Sequence, residues 1–335
     1  MRKLPYGSLI YGSLPEGCYL CHRGSKMVLF VTGMCPIDCF YCPLSPERKG
    51  RDVIYANERR VNNLNEVIEE AELMDAEGTG ITGGEPLMVL NRVIKIIRLL
   101  KRKMGGSHHI HLYTCGTPFS LATLRELENA GLDEIRFHLV KEEDWNKVRL
   151  AVKETNLEVG VEVPVLPDGE DYLIKLVRYL EEVRARFINL NELEFSEGNY
   201  LKLLERGYKL SRRYIVAARG SRKVALRVIK RALAENLDLT VHFCSARTKD
   251  ALQTSLRMYR RAVNVAKPHE VVSDEGLLIK LNLEGGLPEE LREVYGVSNE
   301  IHIDLLNSIE RQNLRLSLVE ELPIEPRMVM SKEEL

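Results

Sequence analysis

Apolar and polar positions along the chain switch between two periods. Short apolar runs at Met27–Thr32, Thr79–Thr82, His109–Thr117, Glu134–Leu139, Leu157–Val165 and Phe187–Phe195 read as buried strands. Between them lie segments with apolar residues three or four apart. Val67, Ile68, Ala71 and Met74 form one such stripe within Asn65–Glu77, and Val93, Ile94, Ile97 and Leu100 another within Leu90–Lys103. Ser120–Ala130, Glu142–Thr155 and Asp171–Arg184 continue the series, punctuated by Gly105-Gly106, Gly131 and Leu166-Pro167-Asp168-Gly169. Six strand–helix alternations predict an α/β fold: a parallel sheet with helices outside, as in a TIM-type barrel or part of one. Chemistry in such folds gathers at the strand C-termini.

Beyond the sixth strand the pattern changes. Tyr200–Arg213 and Ser221–Ala234 read as helices, Leu237–Cys244 as a strand and Thr248–Val265 as a long helix. A boundary follows near Asn264–Pro268. The rest mixes strands at Gly276–Leu283 and Arg315–Leu318 with a helix near Pro288–Tyr295. The predicted organisation is an N-terminal segment (1–26), a partial barrel (27–200), a basic helical extension with an added strand (201–267) and a small α+β C-terminal domain (268–335).

Composition narrows the class. A chain of 335 residues with 44% apolar content holds a barrel plus an appendage with a normal core. Charged residues make up 29% at net −1, and glutamine occurs only at Gln253 and Gln312, a balance that leans towards a thermophile. No run of eighteen apolar residues appears and the N-terminus lacks an apolar signal segment, which points to the cytoplasm. Seven cysteines, three of them clustered, suit metal chemistry in a reducing compartment better than a disulfide framework.

That cluster is Cys35-Pro36-Ile37-Asp38-Cys39-Phe40-Tyr41-Cys42, directly after the first strand. Three thiolates on one tight loop can hold three corners of an iron–sulfur cube and leave one metal position open, as catalytic zinc sites do. Phe40-Tyr41 sets a flat apolar surface beside it, as binding an adenine requires. The second strand ends in Gly83-Gly84-Glu85-Pro86.

CxxxCxxC after a first strand with GGEP after a second resembles the radical S-adenosylmethionine (SAM) superfamily, over roughly residues 26–200. The branch looks archaeal and related to pyruvate formate-lyase activating enzymes. The resemblance implies an open six-stranded (β/α)6 partial barrel. It implies a [4Fe–4S] cluster on Cys35, Cys39 and Cys42, with SAM on the open iron, Tyr41 beside it and Gly83, Gly84 and Glu85 at its amino nitrogen. It implies reductive cleavage of SAM to a 5′-deoxyadenosyl radical that takes hydrogen from a substrate, and an electron donor of the ferredoxin or flavodoxin type.

Further candidates come from single positions. Arg136 and His138 share one face of the fourth strand. In the activating enzymes that this barrel resembles, the matching strand ends in SAM contacts, which makes both residues partners for the SAM carboxylate or ribose; the alternative is that they reach the helical layer. The sixth strand carries Asn189 and Asn191 on one face and Glu192 and Glu194 on the other, a polar density that costs free energy unless bonded or lining a cavity. Asn189 and Asn191 towards the lumen, with Glu194 at its mouth, form the candidate substrate set. Cys115, at the end of the third strand, is either an inert buried thiol or a neighbour of the site. His108, His109 and His111 look like a metal run but start a strand, at the end of the barrel away from the chemistry, and are set aside. Cys18 and Cys21 form a CxxC, and Cys244 shares a strand face with His242; together they are a candidate second metal site, a cluster or zinc. Ordinary thiols and a core histidine are the bland alternative.

Between Lys202 and Lys267 stand seventeen lysines and arginines and four acids. Such a stretch fits a phosphate-backbone surface, with Arg222, Arg227 and Lys230 as candidate contacts, although a solvated basic face is the default. The resulting expectation is a radical SAM enzyme, an oxidoreductase or transferase that modifies a macromolecule, with RNA (tRNA) first. Protein or peptide modification, such as glycyl-radical enzyme activation, is the alternative, and a non-catalytic iron–sulfur RNA-binding or regulatory protein a third reading.

Overall fold

The apolar runs assemble into one sheet that retraces the chain in order. The structure is a computed structural model and describes residues 1–214, 216–284, 289, 293, 299–307 and 315–335. Lys26–Phe30, Gly78–Thr82, His109–Thr114, Glu134–Phe137, Glu158–Val165, Phe187–Glu192 and Thr240–Cys244 lie side by side and parallel. That is seven parallel strands, one more than the six read as the barrel. The additional one, Thr240–Cys244, pairs in register with Phe187–Asn191. The preceding helix, Ser221–Ala234, buries Val224, Val228 and Ile229 in the same apolar core as the first six strands.

Both edges of the parallel set are finished by antiparallel strands. Leu9–Tyr11 pairs with the last strand, and the hairpin Ile54–Ala56/Arg59–Val61 pairs with the first. The two ends of the sheet do not meet, so the barrel is open. The helix Glu16–His22 packs against the first three parallel strands and the turn Lys249–Thr254. Gly17 allows this approach: a Cβ there would stand 2.4 Å from His111 Nδ1 and 2.6 Å from an Arg136 terminal nitrogen.

The two faces of the sheet differ in chemistry. Val159, Val161, Val163 and Val165 point outward into the helical layer and are buried. Val93, Ile94, Ile97 and Leu100 of the helix Leu90–Met104 meet that layer, each contributing roughly 1.5–3 kcal/mol by leaving water. Strands of an all-parallel sheet are normally apolar on both faces. Here Gly160, Glu162 and Pro164 alternate with the valines on the other face, and Glu162 and Pro164 line the central cavity.

Two helices differ from their periodicity. The stripe over Tyr200–Arg213 yields only Tyr200–Glu205, because Gly207 takes a left-handed φ of 79° that closes the last turn. The long helix up to Val265 contains a π-helical segment at Lys249–Thr254. A second, antiparallel sheet of Val271–Val272, Leu278–Glu284, Glu300–Ile301, Arg315–Glu321 and Val329–Glu334 follows, with its own core of Leu281, Leu283, Ile301 and Leu316. The helix expected near Pro288–Tyr295 lies outside the described residues. No helix among the described residues is long and apolar enough to cross a membrane.

Candidate active site

Backbone hydrogen bonds fasten the cysteine loop to the GGEP turn. Gly84 N–H donates to Thr32 O and Glu85 N–H to Met34 O, each at 2.7 Å. The approach is too close for any side chain: a Cβ on Gly84 would sit 2.4 Å from Met34 O, and one on Gly83 2.6 Å from Thr32 O. Cys35, Cys39 and Cys42, together with Gly83 and Gly84, line one cavity of about 600 Å³. The donor set fits a cluster ligated by three thiolates. One of them is already favoured: the neighbouring Cys115, against the effect of burial, holds the Cys35 pKa down to about 7.

Glu85 is fully buried and does not line the cavity. Its carboxylate accepts hydrogen bonds from Leu87 N–H at 2.8 Å, the Thr114 hydroxyl at 2.7 Å and Cys115 N–H at 2.6 Å. Burial raises its pKa and these donors pull it back. The carboxylate thus ties the turn to the end of the third strand, and the glycine backbone is what faces the cavity.

Arg136 and His138 both line the cavity, so neither belongs to the helical layer. His138 Nδ1–H donates to Glu162 O at 3.2 Å, which leaves Nε2 to accept from the Tyr41 hydroxyl at 3.1 Å. Burial lowers the His138 pKa and keeps the ring neutral. Tyr41 also packs edge-on against Phe40, with ring centres 4.9 Å apart. Arg136 lies deeper. It is buried, paired with Glu134, and donates from Nη1 to Glu162 at 2.8 Å and to the Tyr113 hydroxyl at 3.3 Å.

Glu162 is the residue that sequence reasoning missed. Burial alone would raise its pKa, but Arg136 and the amides of Asn189 (2.9 Å) and Asn191 (2.8 Å) hold it down to about 2. Asn189 and Asn191 therefore do face the lumen. Glu192 and Glu194 line the cavity as well, because the strand ends at Glu192 and the chain turns there. Glu194 pairs with Lys249 at 2.5 Å and Glu192 accepts from Ala246 N–H at 2.9 Å. Lys26, Lys249 and Gln253 also border the space unannounced by any motif. The signal for Glu162 was present in Glu158-Val159-Gly160-Val161-Glu162: an acid on the face opposite a row of valines.

Cys18, Cys21, His242 and Cys244 line the same cavity. Cys18 Sγ accepts from Asn189 Nδ2 at 3.1 Å, and Cys244 Sγ from Gln253 at 3.6 Å. Among the described residues, the one trio of His, Cys, Asp or Glu with ligand atoms mutually within 4.8 Å is His109, His111 and Glu134. Chemistry argues against an ion there. Lys26 Nζ donates to His111 Nε2 at 3.2 Å, an ammonium can only donate, and so the ring proton sits on Nδ1, facing the Gly17 backbone. With Arg136 on Glu134, the trio is a buried ion network.

The basic candidates lie elsewhere. Arg222, Arg227 and Lys230 do not line the cavity. Arg222 donates to Gly7 O at 2.5 Å and stacks over Phe243, Arg227 pairs with Glu170, and Lys230 is exposed. A phosphate at Arg222 or Arg227 would have to compete with the Gly7 carbonyl or the Glu170 carboxylate.

Residues 29–141 match the radical SAM superfamily. A Methanocaldococcus jannaschii protein, provisionally named a glycyl-radical enzyme activating enzyme, is 41% identical over 310 residues, 89% of this chain and 81% of its own length. Among solved structures, Streptococcus suis SuiB bound to S-adenosylmethionine aligns with 67% of this chain at 11% identity and a TM-score of 0.47, and the chain spans about half, 52%, of its length. The structure titled native anSMEcpe with bound AdoMet and Cp18Cys peptide aligns with 64% of this chain and 62% of its own at 14% identity, with a TM-score of 0.44. The superfamily uses a [4Fe–4S] cluster and SAM, and this chain brings Cys35, Cys39 and Cys42 to the same cavity as the Gly83-Gly84 turn. The chain belongs to the radical SAM superfamily and is an enzyme of it.

Proposed function

We propose that the enzyme modifies a protein or peptide, in the manner of glycyl-radical enzyme activation, rather than RNA. The observation that carries this reading is the 41% identity, over 89% of the chain, to a relative whose provisional name states that activity. The basic stretch supports RNA less than its composition does, because Arg222, Arg227 and Arg231 are each held by a carbonyl or carboxylate of this chain. Beside the cysteine loop, the helix Tyr200–Glu205 exposes Tyr200, Leu201 and Leu204, a surface better matched to a polypeptide than to a phosphate backbone.

When bound, the cluster and SAM supply the radical that removes a hydrogen atom from the substrate, with an electron drawn from a ferredoxin- or flavodoxin-type donor. This chain's residues bind and orient. Cys35, Cys39 and Cys42 would hold the cluster, and the carbonyls of the Gly83-Gly84 turn would meet the SAM amine. Tyr41, fixed by neutral His138, would present its ring to the adenine. Asn189, Asn191 and Glu162 form a bonded floor, and Glu194 with Lys249 borders the substrate side.

The test uses reconstituted, reduced enzyme with SAM and protein from the cells of origin grown on Cα-deuterated glycine. Deuterium recovered in 5′-deoxyadenosine is the expected result. Transfer from deuterated RNA, with none from protein, would overturn the reading.

A further inference from the structure

The cavity holds a second set of metal-ligating atoms that the SAM chemistry does not use. His242 carries the decisive one. Its Nδ1 lies 3.1 Å from Asn189 Oδ1, and the Asn189 amide nitrogen is committed to Glu162 and Cys18. The oxygen therefore accepts, Nδ1 is the protonated nitrogen, and Nε2 is left with a bare lone pair. That Nε2 is buried and without a partner among the described residues, in a ring only 1% exposed. A histidine that donates one ring N–H to a side-chain oxygen and offers the other nitrogen bare has the arrangement of a metal ligand.

Three thiols share the space. Cys18 and Cys21 sit one helical turn apart on Glu16–His22, and Cys244 ends the last parallel strand, two residues after His242. Cys18 is joined to His242 through Asn189. Burial raises the Cys18 pKa, and the cations Arg136 and Lys26 beside it are set against the acids Glu162 and Glu134.

We propose that Cys18, Cys21 and Cys244, with His242 Nε2, bind a second iron–sulfur cluster on the wall of the same cavity. A cluster is preferred over zinc on spacing. Ligands around one zinc stand about 3.8 Å apart for Zn–S bonds of about 2.3 Å. No three of these four residues bring their ligand atoms within 4.8 Å, and neither do Cys35, Cys39 and Cys42.

The experiment is metal analysis of the full chain after anaerobic reconstitution with iron and sulfide. Two cubane clusters give about eight irons per chain, and Cys35→Ala/Cys39→Ala/Cys42→Ala should keep about four, with a paramagnetic signal indifferent to SAM. Cys18→Ala/Cys21→Ala/Cys244→Ala should keep the SAM-responsive signal and lose the other. The first variant leaves the lumen site untouched, so it decides the question even if the second fails to fold. A wild-type chain with only one cluster, all of it lost in the first variant, or one zinc per chain in place of the second cluster, would overturn the proposal. Neither result bears on the choice of protein over RNA.

Discussion

The Cys115 thiol stands beside Cys35 at the cavity wall, although 79 residues separate them and only Cys35 belongs to the cysteine loop. A reserve thiol thus stands beside one corner of the cluster and not beside the other two. Cys35→Ala should therefore retain most of its reconstituted iron, whereas Cys39→Ala and Cys42→Ala should lose it. Adding Cys115→Ala to Cys35→Ala should bring iron content down to the level of the other two, as measured by iron and sulfide per chain.

Glu85 gives a prediction about folding. Glu85→Ala removes the acceptor for two backbone N–H groups and the Thr114 hydroxyl inside a buried site. Unsatisfied buried donors cost about 1–3 kcal/mol each, so the metal-free chain should lose at least that much stability in denaturant titrations. SAM affinity should fall with it, as a consequence of the displaced turn.

Gly84→Ala separates the two cofactors. Its Cβ would collide with Met34 O, a backbone atom that can yield only by moving the cysteine loop away from the turn. SAM binding measured by calorimetry should weaken by at least about tenfold, which is about 1.4 kcal/mol. Cluster iron should stay near the wild-type level.

Acid should destabilise the chain from near neutrality. Burial lowers the His108 pKa to about 4, and its Nε2 lies 2.8 Å from the Thr79 hydroxyl. The unfolded chain takes up a proton near the ordinary histidine value of about 6.5, the folded chain only near 4. The folded pKa is depressed, so stability falls as pH drops from about 6.5 towards 4, by at most about 1.4 kcal/mol per pH unit for this one group. His108→Gln should flatten that slope in equilibrium unfolding between pH 6.5 and 4.

The sequence makes legible what is local or periodic. Strand order, the outer helices and the coupling of Cys35–Cys42 to Gly83–Pro86 follow from short-range signals, because both motifs stand at strand ends and parallel strands in chain order bring those ends together. Glu162 is harder, since its importance depends on which face of Glu158–Val165 turns inward and on Arg136, Asn189 and Asn191 arriving from other strands. Lys249 and Gln253 reach the cavity from a π-helical segment that a 3.6-residue period does not reveal. The basic stretch carries less free charge than its count implies, because a charge count cannot see Arg227 with Glu170 or Arg231 with Glu235. Helix Tyr200–Glu205 stops early for a reason that is written in the sequence, at Gly207.

The most direct test of the account is electron paramagnetic resonance of the reconstituted, dithionite-reduced chain with and without SAM. An iron open to SAM on the Cys35–Cys39–Cys42 cluster predicts a reduced-cluster signal that changes shape when SAM is added. In the variant lacking all three cysteines, nothing should respond to SAM. A wild-type spectrum that SAM leaves unchanged, or a SAM response that survives in that variant, would contradict the central claim.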